Sequence, residues 1–218
     1  MLAAEQSVGF LFDLDGVLID SEKEYSKIWS QINQEFPSGI PNLEQVIKGC
    51  TLPKILADNY DDDNVRNKVA QRLHELENKM KYQYLPYARE FLVELKNRQI
   101  SCALVTSSDD EKMAHLREEI PEIFNFFDFI VTGNLVKTSK PSPEGYLLAA
   151  SKLNKNPINC VVFEDSLQGV AAGYNSGAYV VGINGTISEE KLFSYANEVI
   201  NNFNELNIND LIHKLINR

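Results

Sequence analysis

The chain has 218 residues, 44% of them hydrophobic, with a formal net charge of −10 and a pI near 4.8. That length and apolar content allow a real buried core and fit one large domain or a core carrying an inserted subdomain. The acidic balance suggests a monomer and argues against nucleic acid or an anionic membrane as the main partner, although a bound metal and a few basic groups can still admit an anionic substrate.

The opening stretch, Met-Leu-Ala-Ala-Glu-Gln-Ser, lacks the basic and apolar regions of a leader, and no run approaches the ~20 apolar residues of a membrane span, so a cytoplasmic address is expected. Val8 to Phe12 follows, too short and too apolar for a surface helix but suited to a strand covered on both faces. Asp13 and Asp15 come where this strand gives way to Gly16, at the carboxyl edge where parallel sheets bind ligands. Alternation turns residues i and i+2 to one side, so the two carboxylates crowd together and call for a cation, with Mg²⁺ the natural choice.

Asp20 and Ser21 read as a helix start, and Tyr25, Ile28, Trp29 and Ile32 recur at i, i+3, i+4, i+7 until Pro37 to Gly39. Short helices are expected around Leu43 to Lys48 and Pro53 to Asn59, then a long one carrying Val65, Val69, Leu73, Leu76 and Met80. Residues 21–85 therefore form an all-helical insertion, and Leu85-Pro-Tyr marks the return. Beyond it helix and strand alternate: helix Ala88 to Arg98, strand Ser101 to Thr106, helix Asp110 to Glu119, strand Phe129 to Thr132. Helix Pro143 to Leu153, strand Cys160 to Phe163, helix Gln168 to Ser176, strand Tyr179 to Ile183, a short strand at Glu198 to Ile200 and a helix from about Asn209 complete the chain. This rhythm predicts an α/β fold with a Rossmann-like parallel sheet and right-handed crossovers, built from residues 1–20 and 86–218, with 21–85 as a helical cap domain. Cys50, Cys102 and Cys160 form no CxxC pair and have no histidine at ligand spacing, so reduced thiols are expected.

Four segments fall at the ends of successive strands: Asp13-Leu-Asp15, Thr106-Ser-Ser, Lys140-Pro141 and Glu164-Asp165. In this order, with a helical block directly after the first strand, they resemble the haloacid dehalogenase superfamily, in its phosphatase and β-phosphoglucomutase-like branch with a helical cap. The resemblance covers essentially the whole chain. It implies phosphoryl transfer, with Asp13 as nucleophile and Asp15 as the acid and base that serves leaving group and water in turn. Thr106, Ser107 and the amides after them would hold the phosphoryl oxygens, and Lys140 would offset charge on nucleophile and phosphoryl group. Lys137 is the fallback, but the family pattern puts the lysine directly before proline. Glu164 and Asp165 would complete an octahedral Mg²⁺ site with Asp13, the backbone carbonyl of Asp15, substrate oxygen and water.

The cap separates two reactions. β-Phosphoglucomutases of this branch typically carry Lys-Gly-x-x-Arg, whose arginine holds the substrate's second phosphate, and a histidine early in the first cap helix. This chain has Lys48-Gly-Cys-Thr-Leu52 and Tyr25 at those places. The expected function is thus a Mg²⁺-dependent phosphatase of small phosphate esters, sugar or sugar-acid phosphates, with Lys48 a further substrate contact and a phosphomutase the alternative. The leucine variant is similar to sugar-acid phosphate phosphatases, such as those acting on 6-phosphogluconate. A catalytically silent binding protein would have lost one of Asp13, Asp15, Thr106, Lys140 or Asp165, and all are present; a dehalogenase would need neither the second aspartate nor the metal site. Asp61 to Asp63 reads as a solvated loop, and His74, His115 and His213 as helix residues without a catalytic role.

Overall fold

The computed structural model describes residues 2–218, so Met1, with which the stretch read for a leader begins, lies outside the described residues. The apolar runs form six strands: β1 (Gly9–Phe12), β2 (Ser101–Val105), β3 (Phe129–Val131), β4 (Cys160–Glu164), β5 (Tyr179–Ile183) and β6 (Glu198–Ile200). All pair in parallel, in the order β3-β2-β1-β4-β5-β6. The α/β expectation therefore holds. β1 lies at the centre with β2 and β4 on its two sides, and the chain reverses its direction of travel across the sheet there, which opens a crevice at the carboxyl ends of these three strands.

Alternation divides each strand between two cores. Phe10, Phe12, Leu104 and Phe163 join one apolar cluster, while Leu11, Val105 and Val162 join the other. Phe12 stacks on Phe163, its register partner on β4, at 4.6 Å between ring centroids and 8° between planes. Such aromatic contact between neighbouring strands locks the register of the two that end in Asp13 and Glu164.

Helices cover both faces: α6 (Ala88–Asn97), α7 (Asp110–Glu119), α8 (Glu144–Lys152), α9 (Leu167–Asn175) and α11 (Ile208–Ile216), with the short α1 (Leu2–Glu5) and α10 (Glu189–Leu192). Between β1 and α6 lie α2 (Glu22–Glu35), α3 (Leu43–Val46), α4 (Leu52–Asn59) and α5 (Asp63–Glu77), without a named strand among them. The segment leaves and returns through one paired stalk, in which Asp20 N donates to Gln83 O and Leu85 N to Leu18 O, both at 2.9 Å.

Two expectations change. The periodicity that carried the long helix to Met80 outruns it: α5 stops at Glu77, and Met80 is folded back into the core by a turn in which its amide donates to Glu77 O. Asp61 to Asp63 is a helix start and not merely a loop, because Asp62 accepts from the amides of Asn64 and Val65 and so caps α5. The short α1, α10 and the 3-10 turns, such as Pro121–Phe126, carried too little periodicity to be expected.

Phe12 is fully buried between its neighbours. Phe12→Ala should lower the unfolding free energy by about 3–5 kcal/mol, read by urea denaturation, and a loss below ~1 kcal/mol would show that the register does not depend on this stack.

Candidate active site

Asp13 continues the line of β1, its amide donating to Phe163 O at 3.0 Å. Its carboxylate is buried, and the Lys140 ammonium donates to it and, at 2.5 Å, to Glu164 Oε1. Burial pushes the Asp13 carboxyl up, Lys140 pulls it down, and Glu164 and Asp15 push it up again, leaving it at about 8. Burial alone would lower Lys140, but Asp13 and Glu164 hold it above its ordinary range. Burial, more than the neighbouring carboxylates, keeps Asp13 from ionising readily.

Asp15 follows one residue after Leu14, which is buried in the core, and precedes Gly16, whose φ of 76° suits glycine at the turn away from β1. Ser21 donates to Asp15 Oδ1, while Ser108 at 3.2 Å and Lys112 at 2.5 Å donate to Oδ2. Thr106 follows β2, its amide bonded to Val131 O, and its hydroxyl accepts from the Ser108 amide at 3.0 Å, which tightens the turn into α7. Ser107 lines the cavity, and its hydroxyl donates to Gly49 O at 2.8 Å and ties this turn to the helical segment.

Glu164 ends β4 with no exposed surface. Its Oε1 accepts from Lys140 and from the Tyr146 hydroxyl at 2.8 Å, and its Oε2 from the Asp165 amide at 3.0 Å and the Ser166 hydroxyl at 3.1 Å. Asp165 accepts from Thr186. One oxygen each from Asp13, Glu164 and Asp165 lie within 4.8 Å of one another. Hard carboxylate oxygens gathered in this way fit a small divalent cation such as Mg²⁺.

Over these groups lies a cavity of about 120 Å³, bounded below by Asp13, Asp15, Thr106 and Asp165 and above by residues of the helical segment. Lys48 and Leu52 line it, as do Trp29, Ile47 and Ile55. The structure thus gathers Asp13, Asp15, Thr106, Lys140, Glu164 and Asp165 at one sheet edge, with Lys48 across the cavity. Among the described residues, His74 bonds to Asp109 at 3.1 Å and His115 to Met80 O at 3.1 Å, at contacts between α7 and the helical segment.

A sequence profile for haloacid dehalogenase-like hydrolases matches residues 10–183, a span that holds all of these groups. The chain belongs to this family. Among its relatives, a phosphorylated carbohydrates phosphatase of Thermotoga maritima is 34% identical over 178 residues, 77% of this chain and 80% of that protein. Hexitol phosphatase A of Escherichia coli is 31% identical over 84% of this chain and 86% of that protein. The structure of β-phosphoglucomutase from Clostridium difficile shares the fold, with a TM-score of 0.79 over 96% of this chain and 99% of that one at 24% identity.

Residues that bind the family's motif positions together went unread in the sequence. Tyr146, Lys112, Glu77 and Thr186 carry no local signal, since each lies 18 or more positions from its partner. Gly169 is another. A Cβ there would stand 1.9 Å from the Glu164 carboxyl carbon, so α9 approaches Glu164 this closely only at glycine. Gly169→Ala should displace Glu164 and destabilise the fold by about 2–4 kcal/mol by urea denaturation, and an unchanged midpoint would show that α9 shifts freely.

Proposed function

We propose that this phosphoric monoester hydrolase cleaves small phosphorylated metabolites, sugar or sugar-acid phosphates, through an aspartyl-phosphate formed on Asp13. The observation that carries the reading is the buried Asp13 carboxylate, bridged to Glu164 by Lys140 at the floor of a cavity that the helical segment covers. That segment acts as a cap over the phosphoryl site.

An Asp13 oxygen attacks phosphorus, the bond from phosphorus to the ester oxygen breaks, and Asp15 gives the departing alkoxide a proton. Water then attacks the phosphoryl group and Asp15 takes its proton, which frees Asp13 and releases inorganic phosphate. Lys140 offsets the charge passing between Asp13 and the phosphoryl oxygens, and the Thr106 hydroxyl with the amides of the following turn receives those oxygens. Asp13, Asp165, the Asp15 carbonyl and Glu164 are the groups that would hold Mg²⁺, which when bound supplies positive charge to the phosphoryl oxygens. Of these, Glu164 is the most committed elsewhere, since both its oxygens already accept protein hydrogen bonds.

The cavity wall supports hydrolysis over mutase chemistry. A mutase must hold a bisphosphate intermediate at both ends, and Leu52 presents hydrocarbon where the mutases of this branch place an arginine. Lys48 lines the same wall and is proposed to meet a substrate hydroxyl or carboxylate. The carbohydrate and hexitol phosphatases among the relatives support the same class of substrate.

Phosphate release should be measured from a panel of sugar, sugar-acid and nucleotide monophosphates, with Mg²⁺ and with chelator. Release on a few substrates is expected, lost with chelator and lost by ~10⁴-fold or more in Asp13→Asn. Substantial turnover by Asp13→Asn would overturn the nucleophile. No release from folded protein with Mg²⁺ would favour the mutase, to be tested on β-glucose 1-phosphate with a bisphosphate primer. Asp165→Asn should weaken Mg²⁺ dependence and rate together, and an unchanged metal titration would move the ligand elsewhere.

A further inference from the structure

Lys112 is a buried lysine that the phosphoryl chemistry does not call for. It stands on α7, is 4% exposed, and holds its ammonium 2.5 Å from Asp15 Oδ2 and 4.2 Å from the centre of the Tyr25 ring on α2. Tyr25 donates its hydroxyl to Glu77 on α5 at 2.6 Å. Glu77 is also 4% exposed; burial raises its pKa, and the charge of Lys112 pulls it back. One ammonium of the sheet domain thus faces a carboxylate at the end of β1 on one side and a tyrosine–carboxylate pair of the helical segment on the other.

We propose that Lys112 is a positioning residue that couples the seating of the helical segment over the site to the placement of the Asp15 carboxylate. The proposal rests on the reading of that segment as a cap and of Asp15 as acid and base. Seating the segment buries the Glu77 carboxylate and the Tyr25 ring, and a carboxylate removed from water needs a cation or it opposes the burial. Lys112 supplies that cation where the two parts meet, and the Tyr25 face adds a cation–π contact.

The same seating acts back on Asp15. Once Tyr25 and Glu77 cover Lys112, its attraction for Asp15 is no longer screened by water and strengthens accordingly. Ser21, just before α2, holds the other Asp15 oxygen, so that oxygen is tied directly to the start of the segment's first helix, while Oδ2 is shared by Lys112 and Ser108. An open segment exposes Lys112 and loosens the acid and base; a seated one fixes it. Turnover is thereby confined to the enclosed state.

Trp29 gives a readout that needs no substrate. It is the single tryptophan of the chain, lies on α2, lines the cavity and is 5% exposed. Lys112→Met keeps the hydrocarbon stem and removes the charge. It should raise acrylamide quenching of Trp29 by about twofold or more and lower kcat/KM by about 100-fold on a substrate found by the phosphate-release panel. Lys112→Arg, which keeps the charge, should retain the shielding of Trp29. Adding Glu77→Gln to Lys112→Met removes the carboxylate left without its cation and should restore the shielding without restoring turnover.

Wild-type quenching in Lys112→Met, or full turnover in the double variant, would overturn the coupling. If far-UV circular dichroism shows that Lys112→Met does not fold, Tyr25→Leu cuts the same link from the other side. It should raise quenching likewise, and unchanged quenching there would equally overturn the proposal. Absence of phosphate release by the wild type would instead overturn the phosphatase reading, and the quenching series would still decide the coupling.

Discussion

The Lys140 ammonium is the contact on which the rest of the site depends. It donates to Asp13 and Glu164 at once and also reaches the Val105 carbonyl at 3.3 Å, so it ties together the ends of β1, β2 and β4. Removing two carboxylates and an ammonium from water costs several kcal/mol per ion, and mutual attraction offsets this only where the remaining lone pairs also find donors. Glu164 meets that condition through Tyr146, Ser166 and its own turn, while Asp13 has the Lys140 ammonium as its donor, and burial raises its pKa against the pull of that charge. The carboxylate proposed to attack phosphorus lies beside the oxygens of Glu164 and Asp165 that would help to hold a cation.

Burial of these charges is possible because the framework beneath them is rigid and apolar. Phe12 and Phe163 stack directly behind Asp13 and Glu164, with Phe91 and Phe203 around them, so the two strand ends cannot slide relative to each other. Shifting either strand by one residue would turn the phenylalanines to the opposite face and carry the carboxylates away from Lys140. Order in the charged layer is thus set by order in the aromatic layer. Gly169 completes the arrangement from the other side by letting α9 close on Glu164.

Much of this was legible in the sequence because it is local. Val8 to Phe12 announces a covered strand, the two aspartates follow at the one spacing that keeps them together, and the helix–strand rhythm after Leu85 gives the parallel sheet. Boundaries were less secure where periodicity and backbone part company, as at Met80, which keeps the apolar spacing of α5 after its helix has ended. What could not be read is the set of long-range partners. Lys112 and Asp15 are 97 positions apart and Tyr25 and Glu77 are 52 apart, and a lysine on an acidic helix such as Asp110-Glu-Lys-Met reads as solvated until the fold closes over it. Ser107 shows the converse: its motif position was legible, but the hydroxyl's bond to Gly49 depends on where the helical segment lies.

The two buried lysines divide the carboxylates between them. Lys140 serves Asp13 and Glu164, and all three lie outside the helical segment, so this contact draws on no residue of that segment. Lys112 serves Asp15 from the sheet domain, but it is covered by Tyr25 and lies near Glu77, which belong to the helical segment. In the proposed coupling, the ammonium on the nucleophile comes from outside the helical segment, whereas the one on the acid and base is covered by that segment. In the proposed coupling this division has a use: the strand ends receive phosphate, and proton transfer is withheld until the rest of the substrate has drawn the segment down. Selectivity in that reading lies in the part of the substrate that reaches the wall formed by Trp29, Lys48 and Leu52, which line the cavity from the helical segment.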